Sequence, residues 1–368
     1  LLGGLPSAYG RSGEGVFLGK AEGLAEMMMY AFANNAHGIP CTTISLDGSR
    51  QCAFTQWSGG NAILAEYGTL QLEFKYLAHH TRRRRYWDVA EAPIRLLIGK
   101  STPLGLYPTF ISPRTGAWTT AKVTMGALSD SFYEYLVKQW LLTGRREPYL
   151  RQMFDEAMLA MARHMVQRSS PSGFVYVADY MGHGQLAHKM DHLACFAGAM
   201  LAVGAQDGGS YDAEYMTLAD AIGETCYEMY RRTRSGLASE YVKFSIGGRD
   251  MVTPKNAAFN IGRPEAVETF YYMWYYTRDP KWREMGWEVF TAFERHVATR
   301  SGWASLPDVD NPRRRPDDKM ESFVLAETMK YLLLLFDCNY PVPLEKYVIN
   351  TEAHPLGIIE PMGNADAR

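Results

Sequence analysis

The sequence predicts an all-α fold in which helical hairpins close into an α/α toroid. Helical periodicity recurs along most of the chain, and strand patterns are sparse. One phrase also repeats: an aromatic-rich helical segment, a short break, and an aromatic residue that opens a charged amphipathic helix. Because the first helix of each pair is apolar nearly all round and the second is amphipathic, we expect buried inner helices inside an outer ring.

The copies of this repeat differ in clarity. Clear copies span 70–97, 132–161 and 269–293, and a weaker copy spans 3–32. Each second helix opens with or near an aromatic residue: Phe17, Tyr86, Tyr149, Trp282 and, in a poorly marked copy, Tyr211. The unit is therefore an αα-hairpin of about 65 residues.

Ionisable residues occupy the same position in several copies, near the N-terminal end of an inner helix. They are Glu66, Asp130 and Glu265, with His192 in the poorly marked copy. A single acidic residue at a helix start is most often a cap or a partner of the helix dipole. If the inner helices are parallel, however, these carboxylates meet on one rim and repel unless protons, a metal or a ligand offset their charge. Paired carboxylates around a pocket suit glycoside hydrolysis, in which one protonates the leaving oxygen and the other activates water.

Composition argues against several classes of protein. The 368 residues carry 38 Lys+Arg against 40 Asp+Glu, a formal net charge of -2, which argues against a nucleic-acid binder. Apolar residues make up 47% of the chain, enough for a packed core, and no apolar stretch is long enough to span a bilayer. The arginine run at 82–85 falls in a hairpin loop of the repeat, so we expect a solvated turn there.

The 5 cysteines predict two disulfides and one spare thiol. Cys41 and Cys52 flank a loop rich in Thr, Ser, Gly and Asp, which suits a local disulfide. Cys195 and Cys226 lie in two separate helical patterns, and Cys338 is left over. None of them has the CxxC spacing of a zinc or redox site.

Six segments carry a family resemblance. In chain order they are LAEYGTLQLEF, DSFYEYLVKQW, HKMDHLACFAGAML, GRPEAVETFYYMW, KMESFVLAETMKYL and YVINTEAHP. They resemble glycoside hydrolase family 47, the class I α-1,2-mannosidases. The resemblance implies an (α/α)7 barrel as a single domain over 1–355, with a C-terminal tail over 356–368. It also implies an inverting, calcium-dependent exo-α-1,2-mannosidase that trims high-mannose N-glycans in the secretory pathway.

The resemblance also assigns roles to individual residues. Glu265 resembles the general base that activates the attacking water, and Asp130 resembles a second catalytic carboxylate that helps to protonate the leaving oxygen. Thr351 resembles the residue that binds calcium through its carbonyl and hydroxyl oxygens. Residues around the terminal mannose and the calcium-bound waters would be Glu66, His192, Arg263, Glu268, Phe323, Glu327 and Glu352, with Glu240 as another glycan-contacting acid. Cys195 and Cys226 match the disulfide of the family.

One position separates branches of the family. Two residues before the catalytic aspartate, endoplasmic-reticulum members carry an arginine that restricts them to removing a single mannose. The sequence has Leu128 there, as in the Golgi and secreted fungal members. We therefore expect trimming of Man9 toward Man5. We also expect a monomer that works in the Golgi lumen or outside the cell.

The start of the sequence departs from the family pattern. In the family, the general-acid glutamate lies in an FE-x-x-IR segment directly before LGGL, whereas this sequence begins at Leu1-Leu2-Gly3-Gly4. We expect the isolated chain, without that acid and the first outer helix, to be poorly active or inactive. We also expect the coding sequence to continue upstream, where a signal peptide or membrane anchor would lie.

Two other functions remain open. A non-catalytic or weakly catalytic member of the family would keep the sugar pocket and bind high-mannose glycans as a lectin. An α/α-toroid enzyme for a different sugar would share the fold alone. Stabilisation by calcium without mannose release would favour the lectin, whereas release of mannose would favour the mannosidase.

Overall fold

The computed structural model describes residues 1–33, 35, 37–100, 102–339 and 341–362. Its α-helices are, in chain order, α1 (Gly4–Ser12), α2 (Gly15–Met28), α3 (Leu64–Gly68), α4 (Gln71–Thr81), α5 (Arg84–Leu97), α6 (Asp130–Leu142), α7 (Pro148–His164), α8 (Phe196–Gly204), α9 (Asp212–Arg231), α10 (Glu265–Thr277), α11 (Lys281–His296) and α12 (Met329–Phe336). Short 3₁₀ helices span Met29–Ala31, Pro103–Gly105, His192–Cys195 and Lys255–Ala257, and a π-helical turn spans Val324–Thr328.

Short antiparallel strands lie in the connections between helices. They are β1 (Thr43–Ile44), β2 (Cys52–Ala53), β3 (Ala62–Ile63), β4 (Phe110–Ile111), β5 (Val166–Arg168), β6 (Val175–Val177), β7 (Asp179–Gly182), β8 (Gln185–Ala187), β9 (Lys189–Asp191), β10 (Tyr241–Ile246), β11 (Arg249–Val252), β12 (Ala298–Thr299), β13 (Gly302–Trp303), β14 (Tyr347–Ile349) and β15 (Pro355–Gly357). The pairings are β1–β2, β3–β4, β5–β6, β7–β8, β9–β10–β11, β12–β13 and β14–β15. Most of these strand pairs were not predicted from the sequence, because strands this short show no alternation of apolar and polar residues.

The helical hairpins predicted from the repeat are confirmed. The aromatic residues Phe17, Tyr86, Tyr149 and Trp282 lie in the first turns of α2, α5, α7 and α11, and Tyr211 directly precedes α9. The contrast in burial is as predicted for α8 and α9, whereas α1 of the weaker copy buries only Pro6 and Ser7. Every residue of α8 is buried, whereas α9 buries one face only.

Contacts divide the described chain into two compact units. The first unit comprises Leu1–Thr124, Ser131–Ala160 and the described residues from Val342 onward, and the second comprises Met125–Asp130 and Met161–Pro341. A single domain over 1–355 therefore stays a prediction.

The core of the first unit is built on α4. Leu72, Phe74 and Leu77 are fully buried on this helix and pack in one apolar cluster with Tyr86 of α5. Strand β15 also contributes, because Leu356 is fully buried in the same cluster. The packed chain thus continues past residue 355, where the sequence analysis placed the start of a tail.

The core of the second unit brings α8, α9 and α10 unusually close together. A Cβ added at Gly198 of α8 would lie 2.5 Å from Thr269 Cγ2 of α10, and one at Gly223 of α9 would lie 2.7 Å from the Trp282 ring. Glycine is therefore required at both positions by close approach of the helices. The Phe270 and Trp282 rings stack at 5.9 Å between centroids in the same core.

The predicted cysteine pairing is confirmed. Disulfides join Cys41 to Cys52 and Cys195 to Cys226, and Cys338 is exposed outside any disulfide. No helix within the described ranges combines the length and the apolar character that crossing a bilayer would need.

Candidate functional site

The site residues predicted from the sequence fall in both compact units. The first unit holds Glu66, Thr351 and Glu352. The second unit holds Leu128, Asp130, His192, Glu240, Arg263, Glu265, Glu268, Phe323 and Glu327.

In the first unit, Thr351 lies in the tight loop between β14 and β15. The Asn350 side chain holds this loop, because its Oδ1 accepts the N–H groups of Glu352 at 3.1 Å and His354 at 2.7 Å. Ala353 takes a left-handed backbone with φ 56°, which side-chain-bearing residues rarely adopt. The loop is therefore fixed by its own hydrogen bonds, and Thr351 is presented from a defined position.

A cavity of about 530 Å³ adjoins this loop. Thr351 and the acids Glu66, Glu73 and Glu352 are among its lining residues. Glu66 lies in the first turn of α3, at a helix start as predicted, and its Oε2 accepts the Thr42 hydroxyl at 2.6 Å. The cavity is thus rich in oxygen atoms that can accept hydrogen bonds or bind a hard cation.

The start of the described chain packs against the same loop. A Cβ added at Gly3 would lie 2.5 Å from Asn350 Nδ2, and one at Gly4 would lie 3.4 Å from the His354 ring. The LGGL motif therefore lets the backbone approach the Thr351 loop closely, which a larger residue at Gly3 would prevent.

Glu73 was missed by the sequence analysis. It is buried in α4, and its Oε1 accepts the Tyr135 hydroxyl at 2.6 Å and the Asn350 amide at 2.7 Å. Its Oε2 has no hydrogen-bond partner among the described residues. Burial raises the pKa of Glu73, although the hydrogen bonds from Tyr135 and Asn350 oppose the rise. The signal available in the sequence was an acid inside the apolar segment of an inner helix.

In the second unit, Glu265 begins α10 as predicted. The helix dipole favours a carboxylate at this position. Glu265 Oε2 lies 2.9 Å from His192 Nδ1, and His192 Nε2 lies 2.7 Å from the Tyr230 hydroxyl. His192 is buried at the start of its 3₁₀ helix. The structure thus joins the two predicted site residues Glu265 and His192 directly, and adds Tyr230 behind them.

Arg263 and Glu240 form a second direct pair of predicted site residues. Arg263 Nε donates to the two Glu240 carboxylate oxygens at 2.9 and 2.8 Å, and Nη2 donates to Oε1 at 2.5 Å. The Glu240 carbonyl in turn accepts the His192 N–H at 2.8 Å. Burial opposes the charge of Arg263, but the Glu240 hydrogen bonds and the charges of Glu265 and Asp130 outweigh it and raise the pKa of Arg263. The guanidinium is therefore held as a cation among three carboxylates.

Asp130 begins α6, again as predicted, after a constrained loop. Its N–H donates to the Gly126 carbonyl at 3.1 Å, and Leu128 has φ 82°, in the left-handed region. A Cβ added at Gly126 would lie 2.7 Å from Asp191 Oδ2, so this loop lies against the residue that precedes His192. Strained backbone of this kind is common at functional sites.

The remaining predicted residues surround the start of α10 and of α12. Glu268 is buried, and its Oε1 accepts the Tyr331 hydroxyl at 3.1 Å. The Arg263 guanidinium lies 5.8 Å from the centroid of the half-buried Phe323 ring. Glu327 is buried within the π-helical turn Val324–Thr328, a local structure that is frequent at functional sites.

Metal ligands of the usual side-chain types are not grouped in the part of the chain that the structure describes. There, no three or more His, Cys, Asp or Glu side chains come together as a metal site. A cation held by a threonine carbonyl and hydroxyl, together with water, would not produce such a group, so this finding does not test the role expected for Thr351.

Solved structures and curated sequences include proteins that are similar to this chain. The structure matches that of an α-1,2-mannosidase from Trichoderma reesei with a TM-score of 0.87 and 27% identity, over 97% of this chain and 80% of that chain. This match confirms the predicted fold class.

Curated relatives agree with the structural match. Mannosyl-oligosaccharide 1,2-alpha-mannosidase IB of Mus musculus is 41% identical over 97% of this chain and 56% of that protein. The endoplasmic reticulum mannosyl-oligosaccharide 1,2-alpha-mannosidase of Homo sapiens is 38% identical over 98% of this chain and 52% of that protein. The chain thus spans about half the length of these relatives. The profile of Glycosyl hydrolase family 47 matches residues 1–358, and the chain therefore belongs to this family.

Proposed function

We propose that this chain carries the active site of an inverting, calcium-dependent exo-α-1,2-mannosidase that trims high-mannose N-glycans. The observation that carries the proposal is the contact of Glu265 Oε2 with His192 Nδ1 at 2.9 Å, in the unit that also holds the Arg263–Glu240 pair and Asp130. Inverting hydrolysis needs a carboxylate that activates water and an acid that protonates the leaving oxygen. The relatives are named as 1,2-alpha-mannosidases, which supports mannose as the sugar.

Glu265 acts as the general base. Its Oε2 is bound by His192, its Oε1 makes no hydrogen bond to the described residues, and its side chain is 12% exposed. Water can therefore reach Oε1. This oxygen takes the proton while the water oxygen bonds to the anomeric carbon and the glycosidic bond breaks on the opposite face.

Asp130 and the remaining predicted residues bind the sugar and complete the transfer. Asp130 helps to protonate the leaving oxygen. Arg263, fixed by Glu240, offers a guanidinium to the sugar hydroxyls, and the half-buried Phe323 ring offers an apolar face. Glu268 and Glu327 hold further hydroxyls or the water around them.

Calcium fits the loop that presents Thr351. The lining of the adjoining cavity includes the oxygen-bearing side chains of Glu66, Thr351 and Glu352, and the buried Oε2 of Glu73 lacks a hydrogen-bond partner among the described residues. Family 47 is a family of metalloenzymes. Thr351 would hold the ion through its carbonyl and hydroxyl oxygens, with Glu66 and Glu352 accepting hydrogen bonds from its water. A bound calcium ion supplies positive charge that orients sugar hydroxyls and acidifies water.

The variant Glu265→Gln tests the general base. In the full-length protein, with any segment upstream of Leu1, we expect it to abolish release of mannose from Man9 while glycan binding, measured by calorimetry, is retained. Glu284→Gln is the matched control, because Glu284 also lies in the first turn of a helix and is exposed. Mannose release by Glu265→Gln at the rate of the control would overturn the assignment.

The variant Thr351→Ala tests the calcium site. We expect calcium to raise the melting temperature of the native protein, and the rise to shrink in Thr351→Ala but not in the control Thr291→Ala, whose threonine is half-buried like Thr351. An equal rise in all three proteins would place calcium elsewhere.

Leu128 bears on the extent of trimming. If the residue at this position limits trimming, Leu128→Arg should stall trimming of Man9 at Man8. Leu128→Asn is the control, because asparagine tolerates the φ of 82°, and it should still reach Man5. Progress of Leu128→Arg to Man5 would refute this role.

A lectin is the second candidate function. It would use the same Arg263–Glu240 pair and Phe323 to bind the glycan without turnover. Binding of Man9 by the full-length protein, with any segment upstream of Leu1, and no mannose released would establish the lectin and exclude the mannosidase.

We further propose that the protein works as a monomer in the lumen of the secretory pathway. Its two disulfides support an oxidising compartment. Light scattering after size exclusion would measure the mass in solution, and a dimer would refute the monomer.

A further inference from the structure

We propose that Tyr230 is a positioning residue for the reaction. Its hydroxyl holds the imidazole ring of His192 at Nε2, and His192 in turn holds the carboxylate of Glu265. The inference rests on the proposed function, in which Glu265 is the general base.

The three side chains form a continuous hydrogen-bonded chain in the interior of the second unit. The Tyr230 hydroxyl lies 2.7 Å from His192 Nε2, and His192 Nδ1 lies 2.9 Å from Glu265 Oε2. Tyr230 and His192 are each 2% exposed, so water does not compete for these contacts. The Tyr230 and His192 rings meet edge to face at 5.5 Å between centroids.

The direction of each hydrogen bond follows from the groups involved. A carboxylate only accepts, so Nδ1 of His192 must carry a proton and donate it to Glu265. The Tyr230 hydroxyl has no other hydrogen-bond partner among the described residues, so it donates to Nε2. Burial and the Glu265 charge raise the pKa of Tyr230, which keeps the hydroxyl protonated. One arrangement therefore satisfies every group: neutral His192 with its proton on Nδ1.

Covalent and hydrogen bonds hold the three residues in register. Tyr230 follows Cys226 by one turn of α9, and Cys226 is joined to Cys195, in the same 3₁₀ helix as His192. This spacing was the sequence signal that could have found Tyr230.

The helix that carries Glu265 is tied to the same segment. Thr269, one turn after Glu265 in α10, donates its hydroxyl to the Cys195 carbonyl at 2.7 Å and accepts the Ala199 N–H at 2.8 Å. Neither helix can rotate without breaking these bonds, so the orientation of the His192 ring depends on Tyr230.

Removal of the Tyr230 hydroxyl would take away one of the two hydrogen bonds that hold the His192 ring. The Glu265 carboxylate would keep the proton on Nδ1, but the ring could turn and lengthen the Nδ1 hydrogen bond. The carboxylate would then be held less firmly toward the attacking water. We expect kcat to fall about 10- to 100-fold, less than the full contribution of a general base, with KM changed less than about twofold.

The experiment combines kinetics with nitrogen NMR of the full chain labelled at histidine. In the native protein, the His192 signals should report a proton on Nδ1 and none on Nε2. In Tyr230→Phe, the Nε2 signal should move to that of a nitrogen that accepts no hydrogen bond, together with the fall in kcat for mannose release from Man9. Tyr227→Phe is the control, since the Tyr227 hydroxyl donates to Glu288 on the surface, and it should change neither readout.

Each outcome decides the matter. A native His192 that carries its proton on Nε2, or on both nitrogens, overturns the proposal even if Tyr230→Phe fails to fold. An unchanged Nε2 signal or an unchanged kcat in a folded Tyr230→Phe also overturns it. If the full-length protein, with any segment upstream of Leu1, releases no mannose, the proposed function fails, while the NMR signals still show whether Tyr230 holds the ring.

Discussion

The close packing of α8 on α10 leads to a quantitative prediction for Gly198→Ala. The new Cβ would lie 2.5 Å from Thr269 Cγ2, 2.9 Å from Thr269 Oγ1 and 3.3 Å from the Ala219 carbonyl. All three distances are shorter than an ordinary contact of about 3.5–4.0 Å. Gly198 and Thr269 are both fully enclosed, so neither helix can shift without disturbing its neighbours.

The expected loss in the free energy of unfolding is the cost of overpacking minus the gain in helix propensity. Overpacking a rigid core costs up to about 3 kcal/mol. Alanine is more favourable than glycine within a helix by about 1 kcal/mol. We therefore expect Gly198→Ala to lower the free energy of unfolding by about 2 kcal/mol, measured by urea denaturation followed by circular dichroism. Gly19→Ala is the control, because Gly19 lies exposed in α2 with nothing near its Cβ position, and it should raise stability by about 1 kcal/mol.

A second variant identifies the obstructing atom. Thr269→Ser removes Cγ2 but keeps the Oγ1 that bonds the Cys195 carbonyl and the Ala199 N–H. Combined with Gly198→Ala, it should recover at least about 1 kcal/mol relative to the sum of the single variants. Strict additivity, or a Gly198→Ala variant as stable as Gly19→Ala, would refute the reasoning from close packing.

Two further predictions concern buried charge. Lys75→Met removes the fully buried ammonium that donates to the Glu147 carboxylate at 2.7 and 2.9 Å, so the free energy of unfolding should fall by about 3–5 kcal/mol. Lys319→Met, which removes an exposed ion pair, should lower it by less than about 1 kcal/mol in the same denaturation experiment. Burial lowers the pKa of His80 from 6.5 to about 4. Between these pH values the unfolded state binds more protons than the folded state, so the free energy of unfolding falls as the pH falls from 6.5 toward 4. His80→Phe should reduce that fall by about 1–2 kcal/mol after allowance for solvent screening, whereas His183→Asn at an exposed site should not.

The helix starts were the part of the site that the sequence could predict. Asp130 and Glu265 are the first residues of their helices, and Glu66 lies in the first turn of its helix, because each follows a loop and precedes a long apolar segment. Local patterning determines such boundaries, so one sequence suffices to locate them.

The partners of these residues could not be predicted in the same way. His192 and Tyr230 are 38 positions apart, and Glu73 and Asn350 are 277 apart. No periodic pattern encodes which side chains meet across such separations, because the contacts depend on how helices pack. The exception is the pair Cys195 and Cys226, whose covalent bond the family resemblance implied.

The hydrogen-bond partners of the site acids bear on where a cation would bind. The sequence suggested that carboxylates on one rim need protons, a metal or a ligand to offset their charge. In the second unit, individual acids have their own partners: Glu265 has His192, Glu240 has Arg263, and Glu268 has Tyr331.

The first unit differs in one respect that concerns metal binding. Glu73 satisfies one carboxylate oxygen through Tyr135 and Asn350, but its buried Oε2 has no hydrogen-bond partner among the described residues. Leaving a buried polar atom unsatisfied costs about 1–3 kcal/mol, and bound water or a cation in the adjoining cavity would remove that cost. This unsatisfied carboxylate oxygen belongs to a residue that lines the cavity beside the Thr351 loop. For this reason we assign the proposed calcium to the Thr351 loop and not to the paired acids at the start of α10.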